Sequence, residues 1–282
     1  MAETVNTFLI ASGTANLTVR QYMRPGSPTV ILLHGGPGVP DEMAEVREFL
    51  VDYMQVITFD QRGTGNDPCT MCTFSMTDYI QDINNIASYF NLEKFYLFGH
   101  SWGGLYAQLY AKEFPSRIAG MFLCSPGSGT GNAWKQAENE VFRYNWRRST
   151  LWEFAGMALN SFLGILGDSN AYRRLFRQII VNYHKGYNVP PPEPEKLAGI
   201  NSRAANKTRS AIIIHPPLGY FGKTTFPVMI TYGQFDAYGE SKNYVLERFP
   251  HAQIRIVPDC GHTPWKHNWN AFKPILSDFF LA

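Results

Sequence analysis

Nowhere does this chain approach the roughly 18–20 consecutive apolar residues that a membrane-spanning helix needs, so a span is excluded. The opening residues, MAETVNTFLIASGTANLTVR, lack a basic segment followed by a long apolar run, and no signal peptide is expected in them. Asn16-Leu17-Thr18 and Asn206-Lys207-Thr208 fit the glycosylation acceptor pattern, which means little without secretion. Four cysteines are too few for a disulfide framework in 282 residues. Cys69 and Cys72 have C-x-x-C spacing, but no second pair and no suitably spaced histidines complete a zinc site. Loop cysteines near a pocket mouth, able to form a disulfide, are the plainer reading. No glycine-rich phosphate loop followed by Lys-Ser/Thr is present. The expectations are a reducing, cytoplasmic setting, no metal, no organic cofactor, and neither nucleic acid nor membrane as partner.

The charge is nearly balanced, at +2 overall, but unevenly spread. Pro126–Phe226 holds 13 Lys/Arg against 6 Asp/Glu, while the remainder is acidic. Such asymmetry marks two structural units and sets the local potential each presents. The hydrophobic pattern divides the chain at the same place. Short apolar runs at Thr29–Leu33, Gln55–Phe59, Lys94–Phe98, Gly120–Cys124, Val228–Tyr232 and Gln253–Val257 read as buried parallel strands. Helical patterns at Asp41–Val51, Thr77–Phe90, Trp102–Phe114, Tyr238–Phe249 and Trp265–Phe280 alternate with them, as in βαβ units. From about Gly127 to Phe221 the patterns are helical, with Ala211–Ile214 the one further strand candidate and Val189–Pro194 a proline-rich interruption. The expected architecture is α/β: a mostly parallel sheet from residues 1–125 and 226–282, with residues 126–225 inserted as a helical cap.

Gly99-His100-Ser101-Trp102-Gly103 matches G-x-S-x-G, with a strand before it and a helix after it. That is the setting of a nucleophile elbow, where glycines make room for a serine on a sharp turn. A serine hydroxyl is a weak nucleophile near neutral pH and needs a base, which a third group must orient. Asp236 follows the strand Val228–Tyr232, and His262 follows Gln253–Val257. Both therefore fall at carboxyl ends of strands, where catalytic groups of open α/β sheets collect. Asp259, three residues before His262, is the rival acid. His100 is expected to point away along the turn; His184, His215 and His251 lack a strand-end setting, and His267 falls in the last helix. Acyl transfer also needs oxyanion donors. The amide of Trp102 is one candidate, and Gly36 in His34-Gly35-Gly36-Pro37-Gly38 is the other.

HGGPG at His34–Gly38, DQRGTG at Asp60–Gly65 and GHSWGG at Gly99–Gly104, with FDAYG and CGHTPW downstream, resemble the proline iminopeptidase family of α/β-hydrolases. The resemblance covers roughly residues 28–125 and 226–282 and leaves the cap uncovered. It implies Ser101, Asp236 and His262 as triad, Gly36 and Trp102 as oxyanion donors, and a helical lid that selects substrate. In peptidase members, lid glutamates hold the free α-amino group of the substrate. This chain departs there: Lys196–Phe235 contains no Asp or Glu. Asn66-Asp67 also stands where a serine is usual after DQRGTG. Glu138, Glu140 and Glu153 are the remaining amine ligands to consider. The cap instead interleaves Arg143, Arg147, Arg148, Arg173, Arg174 and Arg177 with Tyr144, Trp146, Trp152, Tyr172 and Phe176. Gly35, Glu138, Arg143, Trp146 and Trp152 are the candidate substrate-binding residues. Three readings stay open: an aminopeptidase acting on short peptides, a small-molecule esterase, lactonase or amidase under a basic aromatic lid, and a non-catalytic hydrolase-like receptor.

Overall fold

The computed structural model describes residues 5–40, 43–65, 69 and 71–281. Asn66 and Asp67 lie outside the described residues. Among those described, eight strands form one sheet: β1 (Val5–Ser12), β2 (Ala15–Tyr22), β3 (Thr29–Leu33), β4 (Gln55–Phe59), β5 (Phe95–His100), β6 (Ile118–Cys124), β7 (Val228–Gly233) and β8 (Gln253–Val257). Their order is β1-β2-β4-β3-β5-β6-β7-β8. β2 pairs antiparallel with β1 and β4, and the remaining pairings are parallel.

The central strands are apolar throughout because both sheet faces are covered. Successive side chains point to opposite faces. Ile31, Leu33, Leu97, Met121 and Leu123 enter one core with α2 (Met76–Tyr89) and α3 (Trp102–Glu113). Val30, Leu32, Phe98 and Phe122 enter the other with α1 (Ala44–Leu50), α9 (Pro264–His267) and α10 (Trp269–Phe280). The chain between β6 and β7 forms α4 (Asn132–Arg148), α5 (Leu151–Ile165), α6 (Ser169–His184) and α7 (Ser202–Ile214). After β7 comes α8 (Asn243–Arg248).

Four expectations need correction. The hairpin β1–β2 adds two strands to the six expected: β2 alternates polar and apolar residues, and β1, at the sheet edge, is half exposed. β8 was expected to be buried, yet it is the sheet edge and four of its five residues are exposed. Ala211–Ile214 is the end of α7, not a strand. Asn201 starts that helix by accepting from the amides of Arg203 and Ala204, and the helix carries through the β-branched triplet. The last helix is two, because Asn268 ends α9 and caps α10 by accepting from the Ala271 amide. Cys69 and Cys72 are joined in a disulfide.

One buried ion pair anchors the loop after β4. The Arg62 guanidinium donates to both carboxylate oxygens of Asp82 on α2, at 2.8 and 2.5 Å, and to the carbonyl of Thr73 at 2.8 Å. Both side chains are fully buried. Removing one partner of such a pair strands the other charge in a low-dielectric interior. Asp82→Ala is therefore expected to cost about 3–5 kcal/mol, read as a lowered urea midpoint with an unchanged m-value.

Candidate active site

The strands β3 to β8 run parallel, so their carboxyl ends gather at one edge of the sheet. β5 delivers Ser101 there as the N-cap of α3, at φ 53° and ψ −118°. Few side chains adopt that backbone region without support. The support is the absence of neighbouring Cβ atoms. A Cβ on Gly103 would collide with the carbonyl oxygens of Leu33 and His34, and one on Gly99 would lie 2.5 Å from the carbonyl oxygen of Gly103. Gly35 has the same character, since a Cβ there would lie 2.9 Å from His100 Nδ1 and 3.2 Å from Ser101 Cβ. The HGGPG turn is thereby pressed against the serine.

β7 and β8 deliver Asp236 and His262. His262 Nδ1 donates to Asp236 Oδ1 at 2.9 Å, and both side chains are buried. Nε2 is left as the acceptor on the imidazole. Asp236 also accepts from the Tyr238 amide at 3.0 Å and from the Ser125 hydroxyl at 2.5 Å. Burial works against the Asp236 carboxylate, but His262 and these hydrogen bonds outweigh it and hold its pKa below the usual range. Asp259, the rival, is exposed and makes no contact with His262 among the described residues.

The Ser101 hydroxyl meets the Tyr238 phenol at 3.3 Å, and Tyr238 stands edge-on to His262 with ring centroids 5.1 Å apart. Tyr238 therefore touches the candidate nucleophile, base and acid together. Nothing local marks Tyr238 within FDAYG, and Ser125 belongs to none of the motifs. Ser125 directly follows β6, the same strand-end position that marks Ser101, Asp236 and His262. Gln61, in DQRGTG, was also missed. It donates to the His34 carbonyl at 3.0 Å and accepts from the Trp102 indole at 2.8 Å, tying the HGGPG turn to the elbow.

His100 does not point away. Its Nε2 donates to the His262 carbonyl at 2.9 Å, and its ring packs 4.9 Å from His262 and 4.6 Å from Trp265. The space vacated by Gly35 admits the ring. His184 and His267 also belong to this wall. His267 accepts from the Gly261 amide and stacks on Tyr187, and His184 packs against it.

Ser101, His262, Gly35 and Gly36 line a cavity of about 1240 Å³, and most of the remaining wall comes from α4, α5, α6 and α7. Phe142, Phe154, Phe162, Leu175, Phe176 and Ile180 make it largely apolar. Of the candidate substrate ligands, Glu138 lines this cavity. Arg143 instead lines a neighbouring pocket with Asp236, and Trp146 and Trp152 line neither. Glu138 is the cavity's one carboxylate among the described residues. It is gripped at both oxygens by Arg209, at 2.5 and 2.7 Å, and accepts from the Trp134 indole at 2.8 Å. Glu140 is engaged by Ser241 and the Gly239 amide, and Glu153 closes a capping box with Thr150 at the start of α5. No group of three or more metal-ligating side chains occurs among the described residues.

Burial makes His100 hard to protonate, and the neighbouring His262 adds to this, lowering its pKa to about 3. The unfolded chain binds that proton near pH 6.5. The stabilisation is therefore complete above about pH 6.5 and drains as pH falls toward 3. Between pH 7 and pH 5 this histidine alone is expected to remove about 2 kcal/mol, with His184, lowered to about 4 chiefly by burial, adding to the loss. Urea unfolding at the two pH values checks this, and His100→Asn should flatten the dependence.

The sequence profile of the α/β-hydrolase fold family matches residues 28–265. The chain is 23% identical over 271 residues to a proline iminopeptidase from Lactobacillus delbrueckii subsp. lactis, covering 90% of each. Among solved structures it is similar to a proline iminopeptidase from Mycobacterium smegmatis, with TM-score 0.66, 17% identity and 98% of both chains covered. It is equally similar to a carboxylesterase from Bacillus subtilis, with TM-score 0.66, 15% identity, all of this chain and 93% of the other covered. With its mostly parallel eight-stranded sheet and its match over residues 28–265, the chain belongs to the α/β-hydrolase family of enzymes.

Proposed function

We propose that this protein hydrolyses carboxylic esters or amides whose acyl portion is uncharged and largely apolar, through an acyl-enzyme on Ser101. The observation that carries the substrate class is the engagement of Glu138. A peptidase that accepts a free N-terminal amine needs a carboxylate to meet the ammonium in a partly dry pocket. Among the described residues the one acid on the cavity wall already has a bidentate arginine, and an ammonium entering beside Arg209 would meet a guanidinium. An apolar acyl group meets aromatic and aliphatic walls instead.

In this reading His262 takes the Ser101 proton on Nε2 as Oγ attacks the substrate carbonyl. Asp236 holds the imidazole in the required tautomer and stabilises the imidazolium. The developing oxyanion is met by the backbone amides of Trp102, the first of α3, and of Gly36; each such donor is typically worth about 100- to 1000-fold in rate. The imidazolium then protonates the departing alkoxide or amine. Water, deprotonated by the same histidine, attacks the acyl carbonyl, and the acid leaves as Ser101 recovers its proton. Tyr238 donates to Oγ in the resting state, turning the serine proton toward His262. Residues 126–225 serve as the lid that sets acyl-group preference. The iminopeptidase relatives favour a second reading, removal of N-terminal proline, in which a substrate ammonium displaces Arg209 from Glu138.

The two readings separate on matched substrates. A 4-nitrophenyl ester of a medium-chain acid should be cleaved with kcat/KM at least about 100-fold above prolyl-4-nitroanilide, and N-acylating the anilide should not slow its cleavage. Preference for the free-amine anilide would establish the iminopeptidase reading instead. Ser101→Ala should lower turnover of every substrate by about 1000-fold or more. Tyr238→Phe removes one hydrogen bond from Oγ. It should lower kcat about 2- to 10-fold with KM unchanged, while phosphonate labelling of Ser101 persists.

A further inference from the structure

Helix α5 is oriented against expectation, with its apolar side turned outward. Leu151, Trp152, Ala155, Leu159, Phe162 and Ile165 recur at helical spacing and are all exposed, Trp152 at 84%. Glu153 is the one charged residue in the fifteen, and its carboxylate is occupied in the capping box with Thr150. α4 extends the surface. Phe142 and Trp146, both exposed, pack against Phe154 of α5 with ring centroids 5.1 and 4.7 Å apart. Scattered exposed apolar residues need no explanation, but a continuous face of this size does.

Cations border the face. Arg143 and Arg147 follow Phe142 and Trp146 directly on α4, and Arg177 lies on α6; all three are exposed and have no ion pair among the described residues. Arg174 reaches across from α6 to Asn160 of α5 at 2.9 Å. The acids nearby are engaged: Asp168 caps α6 and lies 3.9 Å from Arg174, Glu138 holds Arg209, and Glu140 and Glu240, which line a pocket with Arg143 and Arg147, accept from Ser241 and Asn243. An apolar stripe carrying exposed tryptophans and flanked by arginines is the pattern of a helix that lies in a lipid headgroup layer.

We infer that the α4–α5 face docks on an anionic phospholipid surface. A second copy of this chain fits the apolar area but not the charge, since a two-fold contact would bring two arginine-bordered faces together. An anionic bilayer matches both. No helix among the described residues is long and apolar enough to cross a membrane, so the contact is peripheral. It adds a lipid partner where the composition had suggested none. Phe142, Phe162 and Ile165 line the cavity as well as this face, so the docked surface adjoins the route to Ser101. The inference does not depend on the acyl-enzyme reading.

Co-sedimentation of the intact protein with phosphatidylcholine vesicles, with and without phosphatidylglycerol, tests it. Binding to the anionic vesicles should be about tenfold tighter or more and should fall to the neutral level at high ionic strength. The double variant Trp152→Glu, Leu159→Glu changes two exposed side chains that do not line the cavity. It should lose vesicle binding about tenfold or more while keeping its circular dichroism and its hydrolysis of a short soluble ester. Equal binding to both vesicle types, or to neither, would overturn the inference. So would sedimentation of the wild type as a dimer that the double variant splits, without vesicle binding.

Discussion

Everything at the site depends on how closely two backbone segments approach. Ser101 holds a positive φ at the end of β5, and the helix that follows it passes directly over the end of β3. That approach is possible because Gly103 presents only hydrogen toward the carbonyl oxygens of Leu33 and His34. Once the two backbones touch, the HGGPG turn has nowhere to lie except beside the serine, with Gly35 within contact distance of its Cβ. A methyl group at any of these glycines would separate the nucleophile loop from the turn offered as its oxyanion partner. The geometry of the site is therefore a consequence of packing at the strand ends and not of the site residues themselves.

Polar groups then lock what the glycines allow. Gln61 bonds the His34 carbonyl on one side and the Trp102 indole on the other, so the turn and the elbow share one side chain. The next residue, Arg62, is buried against Asp82 and holds the loop that carries Gln61 to α2. A buried ion pair is seldom a net source of stability compared with apolar packing. Its use here is positional: the fork of the guanidinium is satisfied in one arrangement, and that arrangement sets Gln61. The DQRGTG motif thus supports the site from behind without lining the cavity.

What was legible in the sequence follows from this. Glycines at enforced approaches and polar residues just past apolar strands stand out because few other residues satisfy those positions, which is why the sequence singles out Ser101, Asp236, His262 and Gly36 as candidates. The six strands with continuous apolar runs were found within a few residues. β1 and β2 were not, because their faces are half exposed and alternate. Contacts between side chains far apart in the sequence were also hidden. Glu138 and Arg209 are 71 positions apart, and Ser101 and Tyr238 are 137 apart. Nothing in the local pattern announces either pair. The placement of His100 was hidden for a similar reason, since the space it fills is vacated by Gly35 in the turn after β3.

In the proposed reading, the engagement of Glu138 separates the choice of substrate from the chemistry at Ser101. The elbow, the HGGPG turn and the Asp236–His262 pair, if they act as proposed, would do so on any acyl carbonyl the cavity admits. Selection lies in the free-energy cost of bringing a charge into the lid's cavity. A carboxylate without a partner lowers that cost for an ammonium. The same carboxylate neutralised by an arginine lowers it for nothing, and the surrounding aromatic wall then favours groups that carry no charge. Among the described residues Arg209 makes no hydrogen bond to Ser101, so that pairing and the contacts at the serine are separate. That separation is why motif similarity over the core identifies the chemistry, whereas the pairing of side chains across the cavity decides its object.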